Sequence, residues 1–384
     1  MRVCNFTLPI IVFLGAGICC VNAQLAAQWM SGGYGVGLRW PAGWTYPEKC
    51  DEDLNYLDCI FVEPNLPFFD DAKIQEFVDQ IKSLDGLKWV VINLSRGAYG
   101  DTWLAWHSVL TNLNPGSTPP IGVDFVERIA DALHANGFKV IAYVAAQGPA
   151  MLKQGGKSAF DRGIYTNNDR YDEECDCTPY MKNWSDHVAS IYGNSDRETL
   201  MNAFADIIMD EYAARYGDKI DGWWFDQGAH ANNTRLSETV RRHNPNVVAA
   251  FNYGQHVPLV NNLPGIEDYT SGHPNPVKLT PPSSMDNYPM LTSIENTIDG
   301  FLEAEGEKSL GHMFMPLCET WNGIGTSRVW NESQAVEWMA RATDANGAWT
   351  WNIPRNSHDK ETFHLFNLEH IEFIKNVLEG IQNI

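Results

Sequence analysis

The chain has 384 residues and a formal charge of −21, with 48 Asp and Glu against 27 Lys and Arg. That excess of carboxylates excludes nucleic acid and acidic membrane surfaces as partners, because both are held by clustered Lys and Arg. Past the N-terminus, no stretch approaches the roughly 20 apolar residues that a membrane helix needs.

The first elements set the compartment. Arg2 precedes an apolar run from Ile10 to Ile18, and Val21-Asn22-Ala23 offers the small residues at which signal peptidases cut. Residues 1–23 therefore read as a signal peptide and 24–384 as a soluble mature chain, secreted to the extracellular space or periplasm. Cleavage would leave Cys50, Cys59, Cys175, Cys177 and Cys318, an odd number that frees at least one thiol. Cys50 and Cys59 flank a short polar loop and are the best disulfide candidates, whereas Cys175 and Cys177 are too close to pair with each other. Their C-x-C spacing has no second pair beside it, so no metal site is expected. Sequons at Asn93, Asn183, Asn232 and Asn331 would accept glycans in a eukaryotic host.

Eight apolar or aromatic runs follow in order: Tyr34–Trp40, Trp89–Ser95, Lys139–Ala146, Ile220–Gln227, Val247–Gly254, Gly265–Ser271, His312–Thr320 and Ala348–Pro354. Helical patterns separate most of them. Phe125, Ile129, Ala132 and Leu133 mark one helical face that stops at Gly137, and Ser195-Asp196-Arg197-Glu198 reads as a capping box before Leu200, Phe204, Ile207 and Ile208. The spans 331–346 and 368–378 repeat the pattern. Alternation of this kind predicts a parallel sheet, and eight units predict a single (β/α)8 TIM barrel, with an open doubly wound sheet as the alternative. The long segments after runs one, three and six would then be βα loops, on the side of a barrel where active sites are built.

The strongest chemical signal is Asp221-Gly222-Trp223-Trp224-Phe225-Asp226. A carboxylate at the last position of a barrel strand points into the cleft, and the neighbouring rings offer aromatic surface for sugars. Asp226 fits that position, against the plainer reading of a helix cap beside core tryptophans. Trp40, Trp44, Trp103, Trp106, Trp321 and Trp351 stand near strand ends as candidate sugar platforms.

With Tyr34-Gly35-Val36-Gly37-Leu38-Arg39-Trp40, Ile266-Glu267-Asp268-Tyr269-Thr270-Ser271, Cys318-Glu319-Thr320-Trp321 and Trp351-Asn352-Ile353, that run resembles, in order, the family 29 α-L-fucosidases and their endo-acting fucanase relatives. The resemblance implies a TIM-barrel glycoside hydrolase with retaining chemistry, no cofactor, and Asp226 as the nucleophile. It also departs from the exo-fucosidases, which carry histidines in the strand-one motif and after strand two. Here those places hold Arg39-Trp40 and Asn93-Leu94-Ser95-Arg96. Arg39 and Arg96 would suit sulfate or carboxylate groups, which points to endo action on a sulfated fucan rather than to terminal fucose.

The acid/base has three candidates. His273 lies where the family carries a carboxylate after the strand-six Tyr-Thr segment, and an imidazole has a suitable proton affinity. Glu319 at the end of strand seven is second, and Glu267 third. Arg39, Trp40, Arg96, Trp103, Trp224, Glu267, Tyr269, Trp321 and Trp351 form the expected substrate-binding set, for a fucose-containing poly- or oligosaccharide. An α-galactosidase-like enzyme and a non-catalytic sugar-binding barrel remain the alternatives. Gly155-Gly156-Lys157-Ser158 is no phosphate loop, since Met151 stands where the motif needs Gly.

Overall fold

The computed structural model describes residues 26–38, 70–96, 102–114, 118–146, 179–226, 231–252, 257–274, 288–318, 327–354 and 364–384. Eleven strands lie among them: β1 (Tyr34–Leu38), β2 (Trp89–Asn93), β3 (Ser95–Arg96), β4 (Thr102–Trp103), β5 (Lys139–Ala145), β6 (Gly222–Asp226), β7 (Val248–Phe251), β8 (Phe301–Ala304), β9 (Glu307–Leu310), β10 (His312–Pro316) and β11 (Ala348–Asn352). Seven of them form one parallel sheet in the order β10-β11-β1-β2-β5-β6-β7. Helices Asp71–Lys82, Phe125–Ala135, Asn233–His243 and Glu332–Asp344 are crossovers between successive strands, and Leu368–Gln382 follows the last. This is the α/β pattern of a TIM-barrel-like fold.

The predicted sixth strand does not form a full ladder, and its side chain explains why. Asp268 N donates to Ala249 O at 2.9 Å, but the return bond from Ala249 N goes to the Asp268 carboxylate (Oδ2, 2.8 Å) instead of a backbone carbonyl. On its other edge, Thr270 N donates to Leu310 O (2.9 Å), Leu310 N to Asp268 O (2.9 Å) and Phe314 N to Gly272 O (3.0 Å). The segment 268–272 therefore bonds to β7 on one side and to β9 and β10 on the other.

Capping places the helices. Asp70, Asp124, Asp196, Asn232, Asn331 and Asn367 each accept a hydrogen bond from a first-turn N–H, satisfying a donor that the helix itself leaves open. The cap of the helix Arg197–Ala203 is Asp196, not Ser195 as the capping-box reading has it; Ser195 instead accepts from Ser185 Oγ at 2.8 Å. The hairpin β8–β9 lies outside the eight apolar runs. Its turn, Glu305-Gly306, has both φ angles positive (54° and 81°), the geometry of tight two-residue hairpins.

Strand parity divides the core in two. Trp89, Val91, Ile141, Tyr143, Trp224, Val248, Ala250, Tyr269 and Phe314 share the interior cluster, while Val90, Ile92, Val144, Trp223, Phe225, Phe251, Trp349 and Trp351 pack under the helices. Gly35 lets the Trp89 indole cross the interior, since a Cβ there would lie 2.1 Å from Trp89 Nε1. The short turn Ala27–Met30 joins the interior cluster from below β1, with Met30 fully buried.

Several expectations meet these facts directly. Asn93 is 1% exposed inside β2, so its sequon cannot accept a glycan in the folded chain. Cys318 is buried, with Sγ 3.4 Å from His370 Nε2. Cys50, Cys59, Cys175, Cys177 and the signal segment lie outside the described residues. Among the described residues, no helix is long and apolar enough to cross a membrane, and no His, Cys, Asp and Glu group is arranged to hold a metal ion.

Candidate active site

The ends of the parallel strands carry polar side chains on the interior parity. Asn93 ends β2, Asp226 ends β6, Asn352 ends β11, and Asn252 follows β7 directly. All four are buried. Alternation along each strand puts these side chains on the interior face of the sheet, each at or just past the C-terminal end of its own strand.

Asp226 is held from both neighbouring strands. Asn252 Nδ2 donates to Oδ1 at 2.7 Å, and the Tyr143 hydroxyl donates to Oδ2 through a short hydrogen bond. Asp226 is 6% exposed. Charge-assisted bonds of this type are the strong class, and they fix the plane of the carboxylate.

Trp224 lies beneath it. Its indole stacks on Tyr143 (5.3 Å, 17°), meets Phe314 edge-on (5.3 Å, 89°) and stands 6.3 Å from the His273 ring. Trp224 Nε1 donates to Ser271 O at 3.0 Å. One indole thus links the tyrosine that holds Asp226 to the segment that carries His273. Gly272, just before His273, has φ +66°, and a Cβ there would lie 2.3 Å from His312 O, so only glycine permits this approach to β10.

His312 fixes the same segment from inside the sheet. Thr270 O can only accept, so His312 Nδ1 carries the proton toward it (3.0 Å). Nε2 then accepts from Thr350 Oγ1 (2.8 Å), which accepts in turn from Trp89 Nε1 (3.0 Å). Burial pushes the His312 imidazole down to about 4, so it is neutral in ordinary buffers and serves as a strut.

The structure separates the remaining candidates. Glu267 lies at the other end of its segment: Asp268 bonds at the level of Ala249, which pairs with Trp223, so Glu267 sits near Gly222, four residues below Asp226. At about 3.3 Å per residue that is roughly 13 Å from the rim. Its carboxylate accepts from Asn262 N at 2.8 Å, and burial pushes it up to about 8. It is a structural group, not an acid facing Asp226. Tyr269 is fully buried in the interior and donates to Trp223 O (3.2 Å), below the rim rather than in a sugar subsite. Trp351 packs against Trp330 and Trp349 under the helices, and Trp103 stacks on Tyr212 at 5.1 Å; neither faces the rim, as the sequence alone suggested. Trp223 and Phe225, expected around Asp226, stack on each other on the helix side, and only Trp224 shares its parity. Arg39, Trp40, Glu319 and Trp321 lie outside the described residues, as does the side chain of Arg96 on β3.

Residues 259–364 match the family model of an endo-alpha(1,4)-fucoidanase, Mef1. The motif resemblance to fucanases and α-L-fucosidases holds in the comparisons. Among solved structures, endo-fucoidan hydrolase P5AFcnA of glycoside hydrolase family 107 superposes with a TM-score of 0.68 at 16% identity, over 92% of each chain. Endo-fucoidan hydrolase MfFcnA9 of the same family gives 0.65 at 20% identity, over 93% of this chain and 64% of its own. Alpha-L-fucosidase isoenzyme 1 from Paenibacillus thiaminolyticus gives 0.57 at 18% identity, over 94% of this chain and 76% of its own. The chain thus spans less than two thirds of MfFcnA9. At these identities the likeness shows the fold. No curated protein sequence matches the chain.

Tyr143 and Asn252 are the groups that sequence reasoning missed. A signal existed for both. Tyr143 is the one phenol in the run Lys139–Ala146, and Asn252 follows Phe251 as Asp226 follows Phe225 in the run before.

Proposed function

We propose that the chain is a secreted, retaining glycoside hydrolase that cleaves α-L-fucosyl bonds within a fucan chain. The observation that carries this is Asp226: a carboxylate at the end of β6, oriented by Tyr143 and Asn252 from the two adjacent strands. In this reading the segment 268–272 is the eighth stave, completing a barrel whose rim is the cleft floor, and the whole of 24–384 is one catalytic domain. The family match and the family 107 neighbours favour endo action and a fucose-containing polysaccharide.

An Asp226 oxygen attacks the anomeric carbon as the glycosidic C–O bond breaks, and His273 delivers its proton to the departing oxygen. Water then attacks the glycosyl ester, returns a proton to His273 and releases Asp226. Trp224, between the two groups, gives an apolar floor that keeps water from the developing oxocarbenium ion. No step calls for a cofactor. Glu319 is the alternative proton donor, and Arg39 and Arg96 are the proposed partners of sulfate groups.

Digestion of sulfated and desulfated fucans with product sizing tests the reading. Endo action gives a ladder of oligosaccharides before any free fucose, and Asp226→Asn lowers turnover on the order of 10³-fold with the fold intact. Polymer binding without new reducing ends would instead identify a non-catalytic sugar-binding barrel.

A further inference from the structure

The opposite end of the sheet holds a cavity of about 620 Å³, which the proposed chemistry does not use. Its walls come from residues that begin strands: Lys139 opens β5, Asp221 precedes β6, and Asn246 lies two residues before β7. Trp29, from the turn below β1, forms another wall. β6 runs from this end to Asp226, so its five residues separate cavity and rim by roughly 15 Å.

The cavity's charges are largely settled. Asp221 accepts from His134 Nε2 (2.6 Å), Lys139 Nζ (2.5 Å) and Val140 N (2.8 Å), which holds its carboxyl below the ordinary range despite burial. That carboxylate already neutralises the Lys139 ammonium, so an incoming anion finds no unpaired cation there. Asp218 and Asn246 are exposed, and their side chains bond to no protein group among the described residues. Trp29 is half-buried, set at 84° to Trp89 with centroids 5.8 Å apart.

An indole flanked by a carboxylate and an amide matches a pyranose, whose C–H face packs on a ring while its hydroxyls donate to the carboxylate and exchange bonds with the amide. A sulfate ester would meet the uncompensated Asp218. We infer that this cavity is a second carbohydrate site that holds an unsulfated stretch of the polymer while another stretch lies at Asp226. The inference rests on the proposed polysaccharide substrate. Two contacts on one chain raise the effective concentration of the second, so the site would strengthen binding of long chains and leave short ones unaffected.

The test uses the whole protein, with native gels containing desulfated fucan and steady-state kinetics on that polymer and on a short fucan oligosaccharide. Trp29→Ala removes the platform. Because Trp29 also packs on Trp89, the double variant Asp218→Ala/Asn246→Ala, confined to exposed side chains, is the second probe. Both should migrate faster than wild type in the polymer gel and raise KM for the polymer fivefold or more, with kcat and all oligosaccharide kinetics unchanged. A double variant that migrates and cleaves like wild type overturns the inference, as does a proportional loss on the oligosaccharide. If the wild type cleaves no fucan yet its retardation is lost in the double variant, the catalytic proposal fails and this site stands.

Discussion

Asn252 Nδ2 donates to Asp226 Oδ1 at 2.7 Å from the neighbouring strand, while the Tyr143 hydroxyl takes Oδ2 from the other side. A carboxylate held at both oxygens keeps a fixed plane. Hydrogen bonds to a charged group contribute about 1.5 to 3 kcal/mol each. Asn252→Ala and Tyr143→Phe should therefore each lower kcat by about 10- to 100-fold. KM should move far less, because neither group reaches past the carboxylate. Turnover within twofold of wild type in both variants would show that Asp226 needs no such orientation.

His273 should behave as the proton donor. Its ring stands 6.3 Å from Trp224, which stacks on Tyr143, the residue that donates to Asp226, so two rings connect the imidazole to the carboxylate. His273→Ala should spare aryl fucosides with good leaving groups, which need no proton, far more than the natural polymer. Added azide should restore the second step. In the wild type the alkaline limb of the kcat/KM profile should report loss of the imidazolium, and this limb should vanish in the variant. Glu319→Ala is the control, and leaving-group dependence confined to that variant would reverse the assignment.

Buried groups set the dependence of stability on pH. Burial lowers His312 and His370 from 6.5 to about 4, so between those values the unfolded chain binds protons that the native one refuses. Stability from these two groups is therefore present above pH 6.5 and is lost as pH falls toward 4. Glu267 works the other way. Raised from 4.5 to about 8, it binds a proton only in the native state between those values, and its contribution is lost as pH rises through 8. Urea midpoints should fall from pH 6.5 to 4.5, less steeply in His312→Gln, and Glu267→Gln should abolish the decline between pH 6.5 and 8. Parallel pH curves for wild type and both variants would exclude these groups.

Much of this was legible because strand ends are punctuated by chemistry. The apolar runs located the seven paired strands, and Asp226 stood out because a carboxylate closes an aromatic run. The sixth element was found but its pairing was not, since nothing in Gly265–Ser271 says that the Asp268 side chain will replace a backbone acceptor. Tyr143 and Asn252 were missed because their role exists only across strands: register, not spacing, brings them to Asp226. The tryptophans misled for the same reason. Trp223, Trp224, Trp349 and Trp351 are alike in sequence, and only parity separates the one in the interior from the three beneath the helices.

Trp224 and Trp351 allow that distinction to be measured. Trp351 is fully buried among Trp330, Trp349 and the helix-side core, so truncation leaves a cavity with no route to the substrate. Trp351→Ala should cost about 3 to 5 kcal/mol of stability. At 25 °C the folded enzyme should keep KM and kcat within about twofold, because neither the rim nor Asp226's partners touch that ring. Trp224→Phe should do the reverse: a smaller ring preserves most of the interior packing but loses the indole N–H that holds Ser271 O and the face between Tyr143 and His273. Its kcat on the polymer should fall at least tenfold while its urea midpoint shifts less than that of Trp351→Ala. Measured side by side, a Trp351 variant that raises KM without losing stability would put that indole back in the cleft and overturn the parity assigned to β11.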